Sequence, residues 1–271
     1  MTITTVIILI VCGAVVNIIS ALLGIGGGVL MVPILRSLFP ELPIQVVAAC
    51  SLTIVMGTAT INLMLFQRQY IQISKKNILL WSLGMMVGVQ VGFELSFLFS
   101  DNMIIAIFIF TLLTLSYKTL FLKPKPNKFR LYAYKETICN IAGCGLGGLI
   151  AGITGIGGGS IMAPLVAQIR SVTPKQVAVY TNYMMVIGGI GNLYGYLSRP
   201  FALIDSPLST WQTGYVNFAI VGIVVVSSLC TVYFSMKLRN LISAELTTKL
   251  LGIVLFSIAC YMGILQFFFM G

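Results

Sequence analysis

Two stretches of this chain carry the same unusual residue pattern, Gly24-Ile25-Gly26-Gly27-Gly28 and Gly155-Ile156-Gly157-Gly158-Gly159, each followed by a short apolar run. Three consecutive glycines expose backbone and interrupt a helix. They also let a small ligand approach the amides directly, since no Cβ stands in the way. Where a helix starts just after them, its first N–H groups and its dipole favour an anion. The chemistry to expect is therefore non-covalent: Gly26, Gly27, Gly28, Gly157, Gly158 and Gly159, with Ser160 at the start of the second short run, as donors to an oxyanion. Ser51, Thr181 and Asn182 in the following segments are polar candidates for the same site, and Ser51 and Asn182 are equivalent positions of the two stretches.

Catalytic readings fail on residue types. There is no His in the chain, none of the six cysteines forms C-x-x-C, and all six fall in apolar runs as small packing residues. A phosphate loop needs a Lys after its last glycine, and neither element has one. The sequence thus implies no enzyme, no cofactor, no metal site and no nucleic-acid partner.

The elements that must position the glycines are membrane helices. Of 271 residues, 58% are hydrophobic and 8% charged, where a soluble domain carries about a quarter charged. Such a surface requires lipid as its solvent. Apolar runs cover about 3–23, 29–39, 44–66, 77–99, 102–122, 137–154, 160–169, 176–197, 212–236 and 249–270. Eight are near the ~20 residues a spanning helix needs and two are about half that. The first run lacks a basic flank and a cleavage motif, and a similar run recurs internally, so it reads as a span and not as a signal.

Residues 24–57 align without a gap on 155–188, with 12 identities in 34 positions. The matches include Pro33 with Pro164, Pro43 with Pro174, Gln45 with Gln176 and Gly57 with Gly188. Glycine and proline dominate, so the two segments share demanding backbone geometry. The chain divides into a first repeat (1–122), a basic linker (123–136) and a second repeat (137–271). Glycines four apart, Gly84/Gly88/Gly92 and Gly143/Gly147, read as helix-packing positions.

Basic residues choose between two topologies. If all eight long runs cross and the short ones lie in loops, 10 Lys and Arg fall inside and 6 outside. If each glycine element is the break of a hairpin that enters and leaves on one side, followed by three spans, only Arg36 and Arg199 lie outside and 14 lie inside. The second arrangement inverts one half against the other and puts both termini outside. Inverted repeats with interrupted helices are a recurrent transporter plan. Glu94, inside a long run near its outer end, is a candidate for coupling.

These motifs resemble the sulfite exporter TauE/SafE family of membrane proteins. The resemblance rests on GIGGGVLMVPIL at 24–35, GIGGGSIMAPLV at 155–166, the Pro-x-Gln-Val pairs at 43–46 and 174–177, and Ala49-Cys50-Ser51-Leu52, where Cys50 replaces the Thr usual in the family. It implies a secondary transporter in the inner (plasma) membrane, exporting a small sulfur oxyanion or organosulfonate such as sulfite by alternating access. Import of a related anion and an anion channel are the alternatives. The two GGG triplets, Ser51 and Thr181 are the binding residues it implies. The partners expected are a small anionic substrate and the lipid bilayer, and association into a homo-oligomer is compatible with this plan.

Overall fold

The computed structural model describes residues 3–23, 27–67, 71–121, 133–167, 169, 172–201, 211–239 and 243–269. Most of the central linker, and Gly24, Ile25 and Gly26, lie outside them. Ten helices are described: α1 (Ile3–Leu23), α2 (Gly28–Leu38), α3 (Ile44–Gln67), α4 (Lys75–Ser96), α5 (Asp101–Phe121), α6 (Ala133–Thr154), α7 (Gly159–Val166), α8 (Pro174–Ser198), α9 (Phe218–Arg239) and α10 (Ala244–Phe269). A long helix, a short one and three long ones thus occur twice in the same order. Seven of the long helices are long and apolar enough to span a membrane. The eighth, α8, is diluted by Thr181, Asn182, Asn192 and its glycines.

The outer surface is apolar, and a mainly apolar interior also holds the buried polar side chains. Phe110, Tyr194, Val87 and Phe256 are exposed, whereas Asn17, Ser20, Ser51, Asn62, Ser160, Asn182 and Asn192 are buried. Hydrocarbon outside and hydrogen-bonding groups inside is the distribution a bilayer demands.

One difference from the sequence reading lies at 212–236, which reads as a single apolar run. Residues 212–217 instead form a two-stranded hairpin, β1 (Gln212–Thr213) with β2 (Val216–Asn217), turning at Gly214 with φ 55°. The helix starts only at Phe218 because Asn217 caps it, its Oδ1 accepting from the Ile220 N–H at 3.2 Å.

Helix pairing follows small residues. Gly84, Gly88 and Gly92 of α4 lie against the backbone of Ile141, Gly145 and Leu149 of α6, so the two helices run parallel. Gly148 and Gly152 return the contact onto the Met85 and Val89 carbonyls. The α6 seam is therefore Gly145, Gly148 and Gly152; Gly143 meets nothing within 4 Å, and Gly147 packs on α7 side chains. The α1/α9 pair is also parallel, with Gly13 against Val224 and the Asn17 amide donating to the Ser228 carbonyl (3.0 Å) and Thr231 hydroxyl (3.1 Å).

Parallel packing also joins α3 to α9, through Cys50 with Asn217 and Gly57 with Val225. It joins α4 to α8 through Trp81 with Tyr180 and Phe93 with Tyr196. By contrast α3 crosses α8 antiparallel, Met56 on Gly189 with Leu63 and Phe66 on Ala178 and Val179. So does α5 with α10, where Gln266 bonds Asn102 and Ser116 bonds Gly252. Exchanging α1–α5 for α6–α10 maps each of these contacts onto another: α1/α9 onto α6/α4, α3/α9 onto α8/α4, and α3/α8 and α5/α10 onto themselves.

Leucine at Gly92 should drive a side chain into the Leu149 carbonyl, which cannot yield, and destabilise the fold by about 1–3 kcal/mol or more. Gly222, which has open space around it, should accept alanine without loss. Thermal unfolding in detergent compares the two.

Candidate functional site

Each short helix is entered through glycine because the chain reverses there. Gly27, before α2, has φ 74°, and its counterpart Gly158, before α7, has φ 69°. An L-residue pays roughly 1–2 kcal/mol in that region. Neither helix start has a side-chain cap. Backbone carbonyls meet some of the first amides, Gly157 accepting from Gly159 at 2.7 Å and Gly27 from Leu30 at 3.1 Å, but no side chain caps the rest. Ser160 shows no backbone acceptor for its N–H among the described residues.

The two elements meet. A Cβ placed on Gly28 would sit 2.4 Å from the Ile156 carbonyl oxygen, so the backbone of the second element packs directly on the start of α2. Val55 of α3 lies against both Gly28 and Gly157, and Ala48 against Gly155. One residue of α3 thus spans the junction of both glycine elements.

Hydroxyl groups around this junction fall into two classes. Ser51 donates to the Gly28 carbonyl at 3.1 Å, which ties α3 to the first turn of α2. Thr181 donates to the Ala178 carbonyl at 3.1 Å, and the Asn182 amide nitrogen to the same carbonyl at 2.6 Å. The two hydroxyl hydrogens and one of the Asn182 amide hydrogens are committed. Ser20 and Ser160 differ: both are buried, and neither Oγ has a partner. The Ser20 Oγ lies 3.6 Å from the Cβ position of Gly27, and Ser160 is the second residue of α7. Each short helix therefore has one uncommitted, buried hydroxyl at its N-terminal end. Ser20 belongs to this group although its position in α1 gave only a weak signal, four residues before the first glycine. Gly26 lies outside the described residues.

Electrostatics around the junction come from the backbone alone. Among the described residues no Lys, Arg, Asp or Glu is buried, and no three His, Cys, Asp or Glu side chains group as metal ligands. Arg36 turns to the far end of α2, where it donates to the Leu42 carbonyl at 2.7 Å and complements the helix C-terminus. Glu94, the coupling candidate, is paired with Arg199 at the end of α4 and α8, both about half exposed. The Arg199 guanidinium also covers the Phe97 ring at 4.2 Å. Cys50 accepts from the Asn217 N–H at 3.3 Å and so holds the hairpin before α9.

A predominantly helical chain with an apolar exterior, buried polar side chains and paired short helices is a polytopic membrane protein. The family model "Sulfite exporter TauE/SafE" matches residues 9–262, and the chain belongs to that family. A "probable membrane transporter protein" of Haemophilus influenzae is 56% identical over 271 residues, 99% of this chain and 100% of the relative. Another from Bacillus subtilis, YunE, is 28% identical over 79% of this chain and 88% of its own. A third, from Methanocaldococcus jannaschii, is 24% identical over 95% and 93%. No solved structure matches the chain. The protein is a membrane transporter of this family.

Alanine at Ser51 leaves the Gly28 carbonyl without its buried donor and should destabilise the protein by about 1–3 kcal/mol. A melting temperature equal to that of the parent would show that the bond does not hold α2 in place.

Proposed function

We propose that the protein carries a small oxyanion of sulfur, of the sulfite or organosulfonate class, across the inner membrane by alternating access, with the anion held between the starts of α2 and α7. The observation that carries this reading is the pair of buried, uncapped helix N-termini, each with an unpartnered serine hydroxyl. Buried polar groups normally have partners, and what is missing here is acceptors for N–H and O–H donors. A compact oxyanion supplies several acceptors at once. Gly27, Gly28, Gly158 and Gly159 let it reach the backbone, Ser20 and Ser160 add donors, and Ser51 holds the α2 carbonyl that frames the site.

Magnitudes suit a carrier. A helix terminus contributes about 0.3–1 kcal/mol, up to ~2 where partly buried, and a hydrogen bond to a charged group about 1.5–3 kcal/mol. With no buried Lys or Arg, binding is weak enough for release on the far side.

Alternating access rests on the two halves being inverted repeats. The directions of the helices support this. Counterparts α3 and α8 run antiparallel, as do α5 and α10, which is how counterparts lie when the axis relating them is in the membrane plane. A topology in which all eight long helices simply alternate would make α3 and α9 antiparallel, and they are parallel. The positive-inside tally points the same way, with the linker in the cytoplasm. Outward movement is the direction that the family's description as a sulfite exporter suggests, and the membrane potential would drive an anion that way.

Valine at Gly27 or Gly158 should abolish flux of labelled sulfite in proteoliposomes while leaving membrane insertion intact, and Ser160→Ala should lower it roughly 10-fold or more. Unchanged flux in both valine variants would remove the site, and net flux only inward would replace export by import. A cysteine at Ser243, in an otherwise cysteine-free chain, should be labelled only from the cytoplasmic side. Labelling from outside would sink the inverted arrangement.

A further inference from the structure

Beyond the glycine elements, a second group of buried polar atoms lies where α3 and α8 cross, and its chemistry has the opposite sense. Leu63 and Phe66 pack on Ala178 and Val179, while Val55 and Ala59 pack on Met185. In an antiparallel pair that register sets Asn62 level with Thr181 and Asn182, each on the stripe that faces the other helix. Thr58 lies one turn from Asn62. All four side chains are at least nine-tenths buried.

The buried atoms here that no partner meets are oxygens, the Oδ1 atoms of Asn62 and Asn182. The Asn182 nitrogen is committed to the Ala178 carbonyl, so its Oδ1 is fixed as an acceptor, and it has no partner. The Asn62 Oδ1 is buried and also without one. The hydroxyls of Thr58 and Thr181 spend their hydrogens on the Val55 and Ala178 carbonyls, leaving only lone pairs. The Asn62 amide and the second hydrogen of the Asn182 amide remain donors, but the buried atoms left unmet are oxygens, which an oxyanion does not satisfy. A hard cation is bound by oxygens of this kind, and the absence of any carboxylate argues against a divalent ion.

We infer that Thr58, Asn62, Thr181 and Asn182 form a sodium-type monovalent cation site. Thr58 lies two helical turns, about 10 Å, along α3 from Ser51, which touches the first turn of α2. The cation thus supplies a counter-charge that no buried Lys or Arg among the described residues provides, and its occupancy strengthens anion binding while the anion alone crosses, so the membrane potential still drives it outward. This coupling role rests on the anion reading; the cation site itself does not. Thr181 and Asn182, expected from sequence to touch the anion, serve the cation instead.

Trp81 offers a direct readout, because its ring lies 5.0 Å from that of Tyr180, the neighbour of Thr181. The exposed Trp211 is removed as Trp211→Phe. Purified protein is titrated with sodium chloride against choline chloride at constant ionic strength. Fluorescence should change saturably with sodium, the midpoint should rise at least 10-fold in Asn62→Leu and Asn182→Leu, and Asn182→Asp should retain binding. Equal responses to sodium and choline, as a pocket filled only with water would give, overturn the site; so do leucine variants that titrate like the parent. Sulfite flux in proteoliposomes separates the two readings. Flux that is indifferent to sodium overturns the coupling and leaves the anion site standing, whereas sodium binding without any sulfite flux supports the cation site and sinks the substrate reading.

Discussion

In a bilayer a backbone amide or carbonyl has no water to turn to, and the whole architecture follows from where this chain breaks that rule. Two helices stop at triple glycines inside a protein whose surface is otherwise lipid-facing. Exposed polar backbone at that depth is tolerated only when other protein surrounds it. Here the cover is mutual. The Ile156 carbonyl of the second element lies on Gly28 of the first, and Val55 of α3 closes over both. Each break is covered in part by the other half, Gly28 by Ile156 and Gly157 by Val55, so the halves fold around one another.

The helix seams serve that arrangement. Where α4 meets α6, glycines bring backbone onto backbone, and where α1 meets α9 an asparagine bonds across the interface. These pairs join a broken helix of one half to a spanning helix of the other, so the element that frames each break is anchored on the opposite repeat. The central crossing of α3 and α8 is different in kind. It is antiparallel and carries buried asparagines whose oxygens have no partner.

The unmet buried atoms are serine hydroxyls at the helix starts and the Asn62 and Asn182 oxygens at the crossing. Among the described residues no Lys, Arg, Asp or Glu is buried, so the interior holds no ion to desolvate. Glu94 and Arg199 are consistent with this economy: they neutralise each other at the membrane edge and not along the path.

Much of this was legible in the residues themselves. Apolar runs mark helices so strongly in lipid that α1 was read to the residue and most others to within a few, and the glycine-proline repeat exposed the two halves. The hairpin at 212–217 escaped because Trp211, Tyr215 and Val216 are as apolar as the helix that follows, and only the Gly214 turn and the Asn217 cap separate them. The seam of α6 escaped for a related reason: spacing shows that glycines share a face, but not which face meets a neighbour, so Gly143 looked like Gly145. At the site, sequence singled out the right residue types and could not assign their hydrogens. Ser51, Thr181 and Asn182 were indistinguishable from Ser160 until the fold supplied, or withheld, a backbone carbonyl within reach. Composition and repeat by themselves determined a lipid-embedded, two-halved chain with breaks at its glycines, because solvent and backbone sterics act locally. Which polar atoms remain unpaired was decided only by the tertiary structure, since hydrogen bonding depends on what the other half brings to the same place.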